Sequence, residues 1–257
     1  MTSASFCVHG HFYQPAREDP LTGEIPLEPG AFPFQNWNER IHAHCYRPNA
    51  ELGNFERISF NIGPTLFEWM AVNYPDTCEL IVAQEKRNFE RYGVGNGMAQ
   101  AYHHTILPLA SRMEKMTEVR WGIADFENRF GHVPKGLWLP ETAADLETLD
   151  ILAQCGIEFT ILAPWQAADD TVDITQPYWV DLPGGNRIVV FFYQPELSAR
   201  ISFDPSSTTN ATTFFREILM PQFHGHGSRD RERIVMIASD GELYGHHQQF
   251  RDQFLSH

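Results

Sequence analysis

The sequence predicts an α/β fold built on parallel strands, and three observations carry that expectation. Seven short apolar runs alternate with segments of helical period, the pattern of βα units around a parallel sheet. The length of 257 residues suits one undivided barrel of roughly 250 residues. Hydrophobic residues at 42% and aromatics at 13% are enough for a large buried core, which excludes wholesale disorder. Seven such units fit either a barrel or a doubly wound sheet.

The strand candidates are 5–12 (SFCVHGHF), 57–62 (RISFNI), 98–102, 136–139, 158–163 (EFTILA), 186–193 (NRIVVFFY) and 234–239 (IVMIAS), each bounded by Gly, Pro or polar residues. The first is followed by a long stretch, 14–57, rich in Pro, Gly and Asn. It reads as a loop kept in order by Phe32, Phe34, Trp37 and Tyr46. After the second, Pro64 suits the first turn of a helix carrying Leu66, Phe67 and Met70. Asp76 is placed to cap a helix over 77–92, and Gly93 to end it. The span 142–155 puts Leu146, Leu149, Ile151 and Leu152 on one face ahead of Gly156. A last helix, 208–220, carries Phe214, Phe215, Ile218 and Leu219.

Charge narrows the partners. Against 33 Asp+Glu stand 19 Lys+Arg, a net −14, so neither a phosphate backbone nor an anionic membrane surface is an expected partner. A nucleotide cofactor is not expected either. The first strand runs into His-Gly-His-Phe-Tyr-Gln-Pro rather than a glycine fingerprint, and the glycines of 93–97 lack a following helix start. Cys7, Cys45, Cys78 and Cys155 are far apart with no CxxC pair, which reads as reduced thiols packed as small hydrophobes. The first twelve residues carry no secretory pattern, and no apolar run nears the ~18–20 residues of a membrane helix. A cytoplasmic setting is expected, with no cofactor and a neutral or small substrate.

The strand ends carry the chemistry. Parallel barrels place functional groups at the carboxyl ends of their strands, and here those ends read His9 and His11, Asn61, His103 and His104, Trp138 and Glu141, Trp165, Gln194 and Glu196, then Asp240 and Glu242. Two carboxylates stand out. Glu141 follows the apolar Gly-Leu-Trp-Leu-Pro and opens a helix through Thr142; Asp240 follows Ile-Val-Met-Ile-Ala-Ser. Two carboxyls projecting from different strands into one cleft suit glycoside cleavage, one as nucleophile and one as acid/base. Trp37, Trp138, Trp165, Tyr193 and Tyr244 lie toward the same end, and flat rings fit the apolar faces of sugars. Glu141 also reads as an acid complementing a helix dipole, and Glu242 as a supporting hydrogen-bond partner. A rival reading takes His9, His11 and Asp240 as ligands of a metal-dependent amidohydrolase or sugar deacetylase. A third is a barrel that binds glucan without turnover. His103 and His104 are adjacent, so one faces the pocket and the other packs; His224, His226, His246 and His247 read as surface positions.

His-Gly-His-Phe-Tyr-Gln-Pro at 9–15, Gly-Leu-Trp-Leu-Pro-Glu at 136–141 and Ser-Asp-Gly-Glu-Leu-Tyr-Gly-His at 239–246 together resemble the conserved regions of glycoside hydrolase family 57, whose members act on α-glucans. The stretch 95–104 resembles another region of that family more loosely. The resemblance implies an incomplete (β/α)7 TIM-like barrel with parallel strands, occupying 1–257 as a single domain and normally followed by a C-terminal helical region. It implies Glu141 as nucleophile and Asp240 as general acid/base of a retaining reaction on an α-glucan or maltooligosaccharide, with the carboxyls about 5–5.5 Å apart. His11 would contact the sugar at the cleavage site and Trp138 would shape the cleft. Substrate contacts are expected from His9, His11, Trp37, His104, Trp138, Trp165, Tyr193 and Glu242, with no metal.

Overall fold

A computed structural model describes residues 4–223 and 232–257. Eight strands are present among them: β1 (Ala4–Phe12), β2 (Ser59–Ile62), β3 (Ala99–Gln100), β4 (Leu137–Trp138), β5 (Phe159–Leu162), β6 (Tyr178–Asp181), β7 (Arg187–Phe192) and β8 (Arg233–Asp240). Every expected run contributes one, and the pairing is parallel throughout except where β6 runs antiparallel to β7. β1 lies between β2 and β8, β3 pairs with β4, and β5 pairs with β7. Single bridges, Phe60 to Gly97 and Gly136 to Phe159, join these groups in chain order. Between the ends of the series, the Gln194 amide donates to the Met236 carbonyl at 2.7 Å. Met98, Trp138, Ile161, Met236 and Ala238 pack into one cluster, with Phe159, Phe191 and Tyr193 against it. Side chains from β4, β5, β7 and β8 therefore share one interior, as a curled parallel sheet requires.

β6 is an addition to the expected set. Its partner strand is reached through Leu182-Pro-Gly-Gly-Asn186, where Gly185 takes a φ of 79° and the Leu182 amide donates to the Asn186 carbonyl at 2.9 Å. That is a hairpin, and turn residues of this kind announce one.

The helices are α1 (Trp37–Ile41), α2 (Arg47–Glu51), α3 (Pro64–Asn73), α4 (Pro75–Tyr92), α5 (Arg112–Phe130), α6 (Leu146–Gln154), α7 (Pro195–Phe203), α8 (Ala211–Thr213) and α9 (Arg251–Ser256). Pro64 does open α3, and Gly93, at φ 74°, ends α4. Asp76 sits inside the first turn of α4 rather than capping it, because Pro75 already starts the helix. The stretch expected as a loop is half helix: α1 and α2 are joined by one wide turn, His42–Tyr46, so 37–51 is continuous. Asn36 caps it, accepting from the Glu39 amide at 3.0 Å. The wide turn shifts the hydrogen-bond pattern just ahead of Pro48, which has no N–H to give. The last expected helix is shortened. α8 begins after Asn210, and Phe214–Leu219 is again a wide turn, with Phe214 and Leu219 buried.

α6 begins at Leu146, capped by Asp145, whose carboxylate accepts from the Thr148 amide at 2.7 Å. Thr142 therefore does not open a helix, and Glu141 does not sit at a helix start. Both residues have positive φ, 55° and 51°. All four cysteines are free thiols, Cys45 and Cys78 buried. No helix among the described residues is long and apolar enough to cross a membrane. His224 and His226 lie outside the described residues.

Candidate active site

Strand register assembles the site. His11 on β1 is level with Asn61 on β2 and with Asp240 on β8; Gln100 on β3 is level with Trp138 on β4. Asn61 donates to the Gln100 side-chain oxygen at 2.5 Å, closing the gap between the two sets. One layer at the carboxyl ends therefore reads Asp240, His11, Asn61, Gln100, Trp138. Strands lie about 4.8 Å apart, so neighbours in this layer are in contact range.

Aromatic rings stack across that layer. Trp138 lies against His9 at 4.6 Å and His11 at 5.4 Å, with interplanar angles of 21° and 24°. His11 continues the stack to His104 at 5.1 Å, and His104 lies on Tyr13 at 3.9 Å. His11 Nε2 and His104 Nε2 are 3.1 Å apart, a hydrogen bond between imidazoles. Burial pushes His11 down to about 3, the neighbouring His104 adding to the effect, and pushes His9 down to about 4. Burial also lowers His104, against the pull of the Glu141 charge. The floor of the site is neutral at ordinary pH.

The two carboxylates flank this stack. Asp240 ends β8 with its side chain open to solvent. Its carboxyl is nonetheless held above the ordinary range, first by partial burial and then by the negative charge of Glu141, while His247 acts in the opposite direction. Glu141 also acts on His104, so one carboxylate reaches both the acid and the stack. Glu141 comes three residues after Trp138 on a tight turn, where the Thr142 amide donates to Leu139 at 2.9 Å and the Ala143 amide to Pro140 at 3.0 Å. Among the described residues four non-glycine residues have positive φ, and His104, Glu141 and Thr142 are three of them. Such backbone costs of order 1–3 kcal/mol per residue and gathers at functional sites.

Behind Asp240, the turn Gly241–Leu243 is anchored from outside. Glu242 is 4% exposed and accepts from the Tyr46 hydroxyl at 2.7 Å and the Tyr13 amide at 3.1 Å. Burial raises it to about 7, and the Asp240 charge adds to the rise. Asn49 donates to the Tyr244 carbonyl at 2.7 Å. A Cβ on Gly241 would stand 2.3 Å from the buried Phe12 ring, so only glycine fits between Asp240 and Glu242.

The expected residues therefore divide. His11, His104, Trp138, Glu141 and Asp240 come together. His103 turns outward to Glu118, at 2.8 Å, as adjacency with His104 requires. Trp165 is 71% exposed and stands edge-on to Tyr193 at 5.9 Å, while Tyr193 packs on the cluster containing Trp138. Two residues, His9 and Glu242, are not placed to touch a substrate. His9 is 0% exposed, with Nδ1 held by Ser59 at 2.9 Å and Nε2 by Asn61 at 3.0 Å, so it supports the stack from below. Those bonds also occupy both nitrogens that the metal reading needs. No group of three His, Cys, Asp or Glu suited to a metal occurs among the described residues. Glu242 is buried behind Asp240. Trp37, half-buried, packs beside His246 at 5.9 Å under the Arg40 guanidinium.

The sequence did not point to Tyr13, to Tyr46 as the partner of Glu242, or to Asn61 as a bridge; His247, expected at the surface, is exposed and acts on Asp240. His246 was also expected at the surface, whereas that ring is half-buried among Trp37, His44 and His247 and is pushed down to about 4 by burial. Asn61 and Tyr13 stood at strand ends and could have been found. Tyr46, inside a stretch taken for a loop, carried no such signal. A cavity of about 900 Å3 elsewhere, lined by Phe6, Phe214, Phe215, Leu219, Phe223 and Leu255, is apolar and has no carboxylate in its lining.

Comparison with known proteins agrees with this architecture. The model for "Glycosyl hydrolase family 57" matches residues 33–257. The chain is 22% identical over 213 residues to an α-amylase of Pyrococcus abyssi, covering 80% of this chain and 30% of that protein. It is 25% identical over 214 residues to a 4-α-glucanotransferase of Thermococcus litoralis, covering 80% of this chain and 30% of that protein. The chain thus spans about a third of the length of the curated relatives it matches. In structure it resembles a family 57-type branching enzyme of Pyrococcus horikoshii, with a TM-score of 0.74 at 16% identity, covering 99% of this chain and 66% of the other.

Proposed function

Because the chain belongs to glycosyl hydrolase family 57, we propose that it is the catalytic barrel of an enzyme that cleaves or transfers α-glucosidic linkages with retention. The observation that carries this reading is the pairing of Asp240 with Glu141 beside a neutral ring stack. A retaining reaction needs one carboxyl that keeps its proton and a second that is ionised. Burial and the Glu141 charge shift Asp240 toward the first property. Glu141, on an exposed turn three residues after Trp138, is the second carboxyl.

Asp240 then protonates the departing glycosidic oxygen while Glu141 attacks the anomeric carbon, forming a glycosyl ester. Asp240, now ionised, takes a proton from water or from a sugar hydroxyl, which displaces Glu141 and restores both carboxyls. His104, held by His11 through Nε2, is left with its Nδ1 edge for a sugar hydroxyl. Trp165, exposed and edge-on to Tyr193, offers its ring at the rim to a further glucose unit. The net charge of −14 favours such a neutral polymer over a polyanion.

The test compares wild type with Glu141→Gln and Asp240→Asn on maltooligosaccharides and on an activated α-glucosyl substrate, with the products sized. Loss of about 10²-fold or more in both variants is expected. Equal rates in all three proteins would remove these residues from the mechanism.

A further inference from the structure

We propose that Asn61 is a positioning residue that fixes the tautomers of His9, His11 and His104, and so keeps the ring stack uncharged beside the Glu141–Asp240 pair. The inference deepens the retaining-enzyme reading and rests on it only for its catalytic consequence.

Asn61 is fully buried at the tip of β2, and its amide meets three partners at once. Its Nδ2 donates to Gln100 Oε1 at 2.5 Å and to His11 Nδ1 at 2.9 Å, the shorter of two contacts with that nitrogen, Asn61 Oδ1 standing 3.2 Å from it; its Oδ1 accepts from His9 Nε2 at 3.0 Å. An amide NH2 only donates and its oxygen only accepts, so His9 Nε2 donates to Oδ1, and the shorter contact of His11 Nδ1, with Nδ2, makes that nitrogen the acceptor. His11 accepts on Nδ1, and in the neutral ring its one proton must sit on Nε2. That proton points at His104 Nε2, 3.1 Å away, which must accept it. His104 therefore carries its own proton on Nδ1. At the other end His9, donating from Nε2, accepts on Nδ1 from the Ser59 hydroxyl at 2.9 Å. Donation starts at Ser59 on one side and ends at His104 on the other, with Asn61 setting its direction.

The rings cannot escape this by rotating, because Trp138 and Tyr13 hold the stack from either end. The ionisable groups facing His11 are His9 on its own strand, His104 from the loop after β3, and Asp240 level with it on β8. Those facing Asp240 are Glu141, His247 and, from behind, the buried Glu242. An imidazolium at His11 would stand one strand from Asp240 and stabilise its ionised form, so that Asp240 would release to solvent the proton the leaving group needs. Burial keeps His9 and His11 neutral down to about 4 and about 3, and Asn61 supplies the hydrogen bonds that make this neutral state the satisfied one.

Long-range proton–nitrogen correlation spectra of the whole chain, labelled with 15N-histidine, read the tautomers directly at pH 7. Protons on Nε2 of His9 and His11 and on Nδ1 of His104 are expected. A proton on Nδ1 of His11, or on Nε2 of His104, overturns the proposal. In Asn61→Asp the carboxylate can only accept, so His11 should take a second proton at pH 6. Because His11 lies between Asp240 and the new carboxylate, the basic limb of the maltooligosaccharide cleavage profile should move down by roughly half a pH unit. A lower melting temperature with the His11 protonation state and the limb unchanged would mean that Asn61 only packs, and would overturn the proposal. If Asn61→Asp does not fold, Ser59→Ala decides. It removes only the outermost donor and should leave the His11 proton on Nε2; a reversed proton would refute Asn61 as the setting residue. Expected tautomers without glucan cleavage would refute the catalytic reading and leave the relay standing. Cleavage with reversed tautomers would do the opposite.

Discussion

Replacing Glu242 by Gln should make the folded chain less sensitive to rising pH. The carboxyl is 4% exposed, and burial raises it from an ordinary 4.5 to about 7 despite the donors Tyr46 and Tyr13. Folded chains therefore keep a proton that unfolded chains release between those two values. Stability contributed by that proton is fully present below pH 4.5 and is lost as pH rises through 7. The interval is 2.5 pH units, worth about 3 kcal/mol at 1.36 kcal/mol each. Gln keeps an oxygen to accept from Tyr46 but has no charge to bury. Denaturant titrations of both proteins at pH 4.5, 6 and 8 measure the effect. Relative to wild type, Glu242→Gln should gain about 3 kcal/mol between pH 4.5 and 8. A stability difference constant across that range would refute the reasoning, since it would mean Glu242 ionises in the folded chain as it does in the unfolded one.

Other substitutions probe other parts of the site. Glu141→Gly should give a protein about 0.5–1 kcal/mol more stable but inactive, because glycine relieves the φ of 55° while the proposed nucleophile is lost; denaturation and turnover measured together check this. Gly241→Ala should cost about 1–3 kcal/mol, since its methyl would meet the Phe12 ring at 2.3 Å, and a denaturation midpoint equal to wild type would contradict it. Trp165→Ala, at a 71% exposed position, should shift stability by no more than about 0.5 kcal/mol yet raise KM for long maltooligosaccharides. An unchanged KM would remove the Trp165–Tyr193 rim from substrate binding.

Much of this was legible in the sequence because strands end abruptly. Apolar alternation runs up to His11, Asn61, Trp138 and Asp240, and a polar residue just past an apolar run marks the end of a buried strand. What lay beyond the strand ends was harder to read. Glu141 followed by a helical-looking stretch suggested a helix start, but Asp145 supplies the cap four residues later, and Glu141 and Thr142 adopt the strained turn instead. No local propensity announces a positive φ at Glu or Thr. The stretch 37–51 was obscured by Pro48, which normally breaks helices and is accommodated here by the wide turn before it. That helix supplies Tyr46 and Asn49 to the Asp240 turn, contacts separated by 196 and 195 positions in the chain. Long-range support of this kind leaves no trace in a residue's neighbours. Glu242 shows the same limit, since its spacing from Asp240 fits both a cleft-lining and a buried carboxylate, and only Tyr46 and the Tyr13 amide decide between them.

The central claim is that Glu141 forms a bond to the sugar. Incubating the chain with a 5-fluoro-α-glucosyl fluoride, which slows release of the glycosyl ester, and mapping the modified peptide by mass spectrometry tests that directly. The account predicts a single fluoroglucosyl adduct on Glu141, absent in Glu141→Gln, and a first product from maltooligosaccharide with the α configuration. An adduct on another carboxylate, or a first product with inverted configuration, would contradict it.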